Sequence, residues 1–298
     1  MLKTPGIEDI EHVLEILDQV AELKSPLVRF LDHNYVYLDQ LPWESFAQNS
    51  HSLRRLVRDD LFKTYEFDPS KRNSIQARYE DILEEICGNA DYVHVFTTNY
   101  DSVFEEGLAN STRYAIRDGF LRSNSGPAVW TSGMFQVETG VETEKTQVLF
   151  YKLHGSLRWR TDKESGRMVR VDTEEKAAED SRRFGENILL YPASKIAPTA
   201  EPFGTLFSLF ASNLFTSPKC IVVGYSFRDP YLNTIFVDFL RRRAENAIYI
   251  ISPNADQNMR NLLSDTTLAR LEQSIGRWNI RFGETEVGAE IRKMISIG

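Results

Sequence analysis

The sequence runs to 298 residues, 42% hydrophobic and 26% charged, with a formal net charge of −8. That length and apolar content can bury a sizeable core as one large or two small domains. The acidic balance argues against nucleic-acid binding driven by counterion release, and no apolar run approaches the roughly 18 residues of a membrane span, so a cytoplasmic protein is expected.

In chain order, the first third reads as helix. Thr4 and Pro5 form an N-cap and first-turn pair, and Ile7, Ile10, Val13, Leu14, Leu17 and Val20 then keep helical spacing. A second helix over residues 52–65 carries Leu53, Leu56, Val57, Leu61 and Phe62, and a third over 74–87 carries Ile75, Tyr79, Ile82, Leu83 and Ile86. Residues 26–50, with His33 and Trp43, read as a further helix plus loops. Residues 1–88 are thus expected to form a helical module.

After Gly88 the pattern changes to strands alternating with helices. Strands are expected over residues 92–96, 147–153, 187–191, 219–224, 247–251 and 277–282. Most are short and apolar without alternation, as strands covered on both faces are, which predicts an α/β fold: a parallel sheet flanked by helices over residues 89–298. Short strands are expected within 114–121 and 129–137. Residues 161–183 read as a hairpin around Ser165 and Gly166 followed by an exposed helix. Cys87 and Cys220 lie far apart in apolar surroundings, read as reduced core residues, and cannot build a four-cysteine zinc site.

Three strand ends carry residues that core packing does not require. Residues 92–96 run into Thr97-Thr98-Asn99-Tyr100-Asp101, at the position where open α/β sheets bind ligands. Asn99 and Asp101 there point either into a crevice or, for Asp101, into an Asx turn capping the helix begun at Ser102. Lys152-Leu153-His154-Gly155-Ser156 ends a second strand in histidine beside a flexible glycine. Of the five histidines, His12, His33 and His51 read as structural and His94 as a satisfied core residue, leaving His154 where a general base belongs. The third end is Val223-Gly224-Tyr225-Ser226. There Gly224 permits close backbone approach to a ligand, Ser226 can donate to a phosphate or ribose hydroxyl, and Asp229-Pro230 starts a helix whose N-terminus favours an anion. A fourth end, Ser252-Pro253-Asn254, follows residues 247–251.

Taken together, the motifs at residues 97–101, 152–156 and 223–226, in this order, resemble the sirtuin superfamily and in particular its bacterial sirtuin-like branch. The resemblance implies a Rossmann-like fold that binds NAD. It implies that Asn99 and Asp101 contact the nicotinamide ribose region, that His154 is the general base, and that Thr97, Thr98, Gly155, Gly224, Tyr225, Ser226, Ser252 and Asn254 form the rest of the NAD site.

Two departures from the family pattern shape what is expected. Deacylating sirtuins carry a four-cysteine zinc ribbon that two cysteines cannot make, which shifts the expectation to NAD hydrolysis in antiphage defence, with no metal. A deacylase is disfavoured on the same count. The family also opens with a strand and a Gly-Ala-Gly-x-Ser turn, whereas no Gly-x-Gly occurs in these 298 residues. Residues 4–9 resemble the segment after that turn, so a preceding piece of polypeptide is expected; the alternative is a nucleotide-binding scaffold lacking half its phosphate site. The resemblance further implies a homo-oligomer, or a HerA-type ATPase, an Argonaute protein or a phage component, that keeps NAD hydrolysis silent until triggered.

Overall fold

A computed structural model describes residues 67–88, 90–122, 126–137, 144–171, 182–190, 199–264, 269–280, 288 and 291–292. The chain divides into two compact units, residues 1–66 and 67–298. The helices expected over 7–20 and 52–65 and the exposed helix after Gly166 lie outside the described residues.

The second unit starts with helix α1 (Arg72–Cys87), followed by strand β1 (Tyr92–Thr97) and the short helix α2 (Val103–Leu108). Strands β2 (Tyr114–Arg117), β3 (Phe120–Leu121), β4 (Ala128–Trp130), β5 (Thr146–Lys152), β6 (Gly155–Asp162), β7 (Met168–Arg170) and β8 (Phe184–Leu189) come next. Helix α3 (Phe203–Thr216) leads into β9 (Lys219–Val223), α4 (Pro230–Arg242), β10 (Ala247–Ser252), α5 (Ala255–Leu263) and β11 (Ile275–Asn279).

These strands form a mixed α/β, Rossmann-like arrangement with parallel sheets flanked by helices. One parallel sheet has the order β1-β5-β2 and the other β11-β10-β9. A third sheet, β3-β4-β7-β6-β8, is antiparallel throughout. The strand expected over 187–191 belongs to this third sheet rather than to the parallel one. The cause is local: Gly155, at φ +85°, turns the chain straight from β5 into β6, and β8 then pairs antiparallel with β6. The 165–166 hairpin forms between β6 and β7 as expected.

Hydrophobic spacing explains the layering. In β10, Ile248 and Ile250 face the main core while Ile251 faces the opposite cluster, the period-two alternation of a strand covered on both sides. On one face, α1 contributes Leu83 and Cys87 against Val148 and Phe150 of β5, and α2 adds Leu108. On the other, Phe203, Leu206, Phe207, Phe210 and Leu214 form the buried stripe of α3, meeting Leu232, Ile235, Phe236, Phe239 and Leu240 of α4. Each such side chain, fully buried, contributes about 1.5–3 kcal/mol relative to exposure. The reading of the sequence assigns no element to α3 or α5, and both are helices. α3 is apolar nearly all round, which hides its period; α5 is polar enough to pass for loop.

Candidate active site

The carboxyl ends of the two parallel sheets meet. His154, two residues past β5, places Nε2 3.0 Å from Oδ2 of Asp229, which lies between β9 and α4; the two side chains are 3% and 4% exposed. The other oxygen of Asp229 accepts hydrogen bonds from the backbone N–H of Tyr231 (2.8 Å) and Leu232 (3.0 Å), capping α4. The carboxylate is therefore fixed before it meets the imidazole. His154 Nδ1 is buried and has no hydrogen-bond partner among the described residues. Its ring lies 6.3 Å from that of Tyr100 and 6.4 Å from that of Phe207.

The loop after β1 is held from several sides. Thr97 Oγ1 accepts from the Asn99 N–H (3.1 Å), and Tyr100 uses its carbonyl to accept from Leu157 N–H (3.1 Å) and its hydroxyl to donate to Leu190 O (2.9 Å). Asp101 Oδ1 accepts from Val103 N–H (2.9 Å), so the Asx turn considered for Asp101 is present. Buried Lys152 donates to the Asp101 carbonyl and pairs with Glu105 at 3.2 Å, fastening β5 to the same loop. Between these ties Asn99 is exposed, and its side-chain amide has no partner among the described residues.

The loop after β9 is anchored by asparagines that the sequence reading does not single out. Asn258 Nδ2 donates to Tyr225 O (2.9 Å) and Ser252 Oγ (2.8 Å), Asn261 Nδ2 to Ser226 O (2.8 Å), and Asn233 Nδ2 to Phe227 O (2.9 Å). Phe227 is held there at φ +54°, unusual for a bulky residue. Gly224 has φ +71°, and a Cβ on it would meet nothing within 4 Å, so its backbone faces open space where a ligand can approach closely. Gly155 is different: a Cβ there would lie 2.2 Å from Ile188 O, so packing against β8 already demands the glycine. Ser252 is buried and engaged with Asn258 and with Asn254 N–H (3.2 Å), while Asn254 is exposed at the N-cap of α5.

A cavity of about 780 Å³ runs between β1 and β9. Of the expected site residues, Thr97, Thr98, Asn99, Asp101, Gly224 and Tyr225 line it; His154, Gly155, Ser226, Ser252 and Asn254 do not. Tyr79 of α1 also lines it, with its phenol pushed up to about 12 by burial and by the nearby charges of Asp101 and Glu105. His94 is a core residue as expected, its Nδ1 3.0 Å from Tyr151 OH and its imidazole held below the ordinary range by burial. Both cysteines are free thiols raised by burial, Cys87 to about 11 and Cys220 to about 12, so neither is poised as a nucleophile.

Residues 93–271 match a family model described as a SIR2-like domain. The chain belongs to the SIR2-like family. The match spans more than half of the sequence and contains all three strand-end motifs. SIR2-like domains bind NAD, and members of the family are NAD-dependent enzymes. No curated protein matches the chain. Among the described residues, no helix is long and apolar enough to cross a membrane.

Proposed function

We propose that this SIR2-like protein hydrolyses NAD at the nicotinamide–ribose bond. The observation that carries the reading is the pairing of buried His154, after β5, with Asp229, after β9: Nε2 meets the carboxylate while Nδ1, like the Asn99 amide after β1, has no partner among the described residues. As the bond from C1′ to the nicotinamide nitrogen breaks, C1′ gains oxocarbenium character and nicotinamide leaves with the bond's electron pair. Water adds to C1′ and its proton passes to His154, giving ADP-ribose. Asn99 orients the water and the ribose, and Asp101 supports the same end. Asp229 stabilises the imidazolium that forms, a role for which a buried, hydrogen-bonded carboxylate is suited. The open approach at Gly224 suits a pyrophosphate, with Tyr225 and Ser226 beside it. Among the described residues, no group of His, Cys, Asp and Glu side chains could hold a metal ion.

The reading extends to an effector that depletes NAD in antiphage defence, silent until oligomerisation or a partner such as a HerA-type ATPase, an Argonaute protein or a phage component triggers it. Support for that part is the likeness of the three motifs to the bacterial branch. A nucleotide-binding scaffold without turnover is the second reading, favoured by the position of His154 outside the cavity lining.

The test is chromatographic detection of nicotinamide and ADP-ribose from NAD incubated with the purified protein and any partner. Asn99→Ala and His154→Gln are expected to lower turnover by about 10²-fold or more with unchanged circular dichroism. Glutamine keeps a hydrogen-bonding group facing Asp229. No product from the wild-type preparation would end the enzyme reading.

A further inference from the structure

The register of β1 on β5 ends with Thr97 opposite Lys152, and Leu153 N–H donates to Thr97 O (2.8 Å). Asn99 and His154 each lie two residues beyond that pair. Their relative placement is therefore set by contacts past the sheet rather than by strand register. Period-two alternation turns Lys152 to the same face of β5 as Val148 and Phe150, which pack with Leu83 of α1 and Leu108 of α2. Lys152 is 2% exposed there, at the end of an otherwise apolar face.

The Lys152 ammonium donates to the Asp101 carbonyl and stands 3.2 Å from Glu105 Oε1 of α2. Helix α2 is fixed in turn through the neighbouring Glu106, whose carboxylate accepts from Arg72 of α1 (2.9 Å) and from Arg158 of β6 (2.6 Å). Two cations, one two residues before His154 and one four residues after it, thus reach adjacent acids of a helix that begins four residues after Asn99. The turn that carries His154 is pinned on both sides to the segment that carries Asn99. Stability alone does not explain a lysine at this place. An ammonium is costly to take out of water, and apolar replacement of a buried ion pair is often neutral or stabilising. Glu105 Oε2 is buried without a hydrogen-bond partner among the described residues, so the pair is not fully satisfied by its surroundings.

We propose that Lys152 is a positioning residue for NAD cleavage: its hold on the Asp101 carbonyl, anchored by Glu105, fixes the Asn99 loop against His154. The inference rests on the hydrolase reading and adds to it a side chain that acts through Asn99. In that reading Asn99 orients the water whose proton passes to His154, so a misplacement of about 1 Å between them costs on the order of 10²-fold in rate. Lysine suits the task because its ammonium supplies several N–H donors from one point, for a backbone carbonyl and a carboxylate together. An apolar residue in its place would keep the packing and lose the tie.

Steady-state nicotinamide release by the full chain tests it, with hydrogen–deuterium exchange reading the loop at residues 98–103. Lys152→Met combined with Glu105→Leu removes both charges. This variant is expected to keep the urea midpoint, to exchange about 10-fold faster in the loop, and to lose about 10²-fold in kcat with far less change in KM. Lys152→Gln combined with Glu105→Gln is the second variant, needed where the first does not fold; it keeps a polar pair on a side chain one atom shorter than lysine and is expected to show the same split. Wild-type kcat in a folded variant overturns the proposal, and so does a loss of kcat with loop exchange unchanged. A urea midpoint lowered in both variants makes the pair a support of the fold and overturns it as well. Wild-type protein that releases no nicotinamide ends the hydrolase reading and the proposal together, whereas full activity in the variants ends the proposal alone.

Discussion

The carboxylate of Asp229 caps α4 through one oxygen and meets His154 through the other. Asp229→Asn preserves the cap acceptor but turns an N–H toward Nε2. That forces the imidazole into the other tautomer and removes the charge that stabilises the imidazolium. NAD cleavage is expected to fall by about 10²-fold or more with little change in Tm; equal turnover in wild type and variant, measured as nicotinamide release across a pH series, would remove Asp229 from the mechanism. His94 makes a different prediction. Burial lowers its pKa, so below the ordinary value of about 6.5 the unfolded chain binds a proton that the folded chain resists. This contribution to stability is complete above that value and is lost as the pH falls through it. Urea denaturation should show a loss of stability below about pH 6.5 that is shallower in His94→Gln.

At the scale of elements, the turn from β5 into β6 decides where the chain goes. Gly155 combines a left-handed backbone with a Cβ position 2.2 Å from Ile188 O. Gly155→Ala should cost about 1–3 kcal/mol from the backbone alone, and the carbonyl clash adds to it. An unchanged urea midpoint would show that β8 yields easily. The same turn explains why the strand at Phe184–Leu189 is antiparallel: it pairs with β6, which exists only because the chain reverses at Gly155. Helices α4 and α1 were legible beforehand, since Asp229-Pro230 is a strong start signal and the apolar stripes keep a 3.6-residue period. Helix α3 was not, because apolar residues on more than its buried stripe, such as Leu209, Ala211 and Phe215, blur the polar face that marks the period.

For the whole molecule, binding and turnover separate the two functional readings. NAD held at 100 times its Kd stabilises a folded protein by about 2.7 kcal/mol, so differential scanning fluorimetry should show a raised Tm. A rise in Tm without nicotinamide release favours the scaffold, whereas release that Asn99→Ala abolishes favours the hydrolase. By itself the sequence determined five of the six strands expected to be parallel, and their polar carboxyl ends, because period, β-branching and strand-end polarity are local signals. Only the tertiary structure decided that His154 is held by Asp229, 75 residues away in the chain. It also decided that Asn233, Asn258 and Asn261 brace the Gly224 loop, and that the parallel strands stand as two three-stranded sheets. The reason is that hydrogen bonds and sheet edges between distant segments depend on how the elements pack, and short-range periodicity carries no record of that.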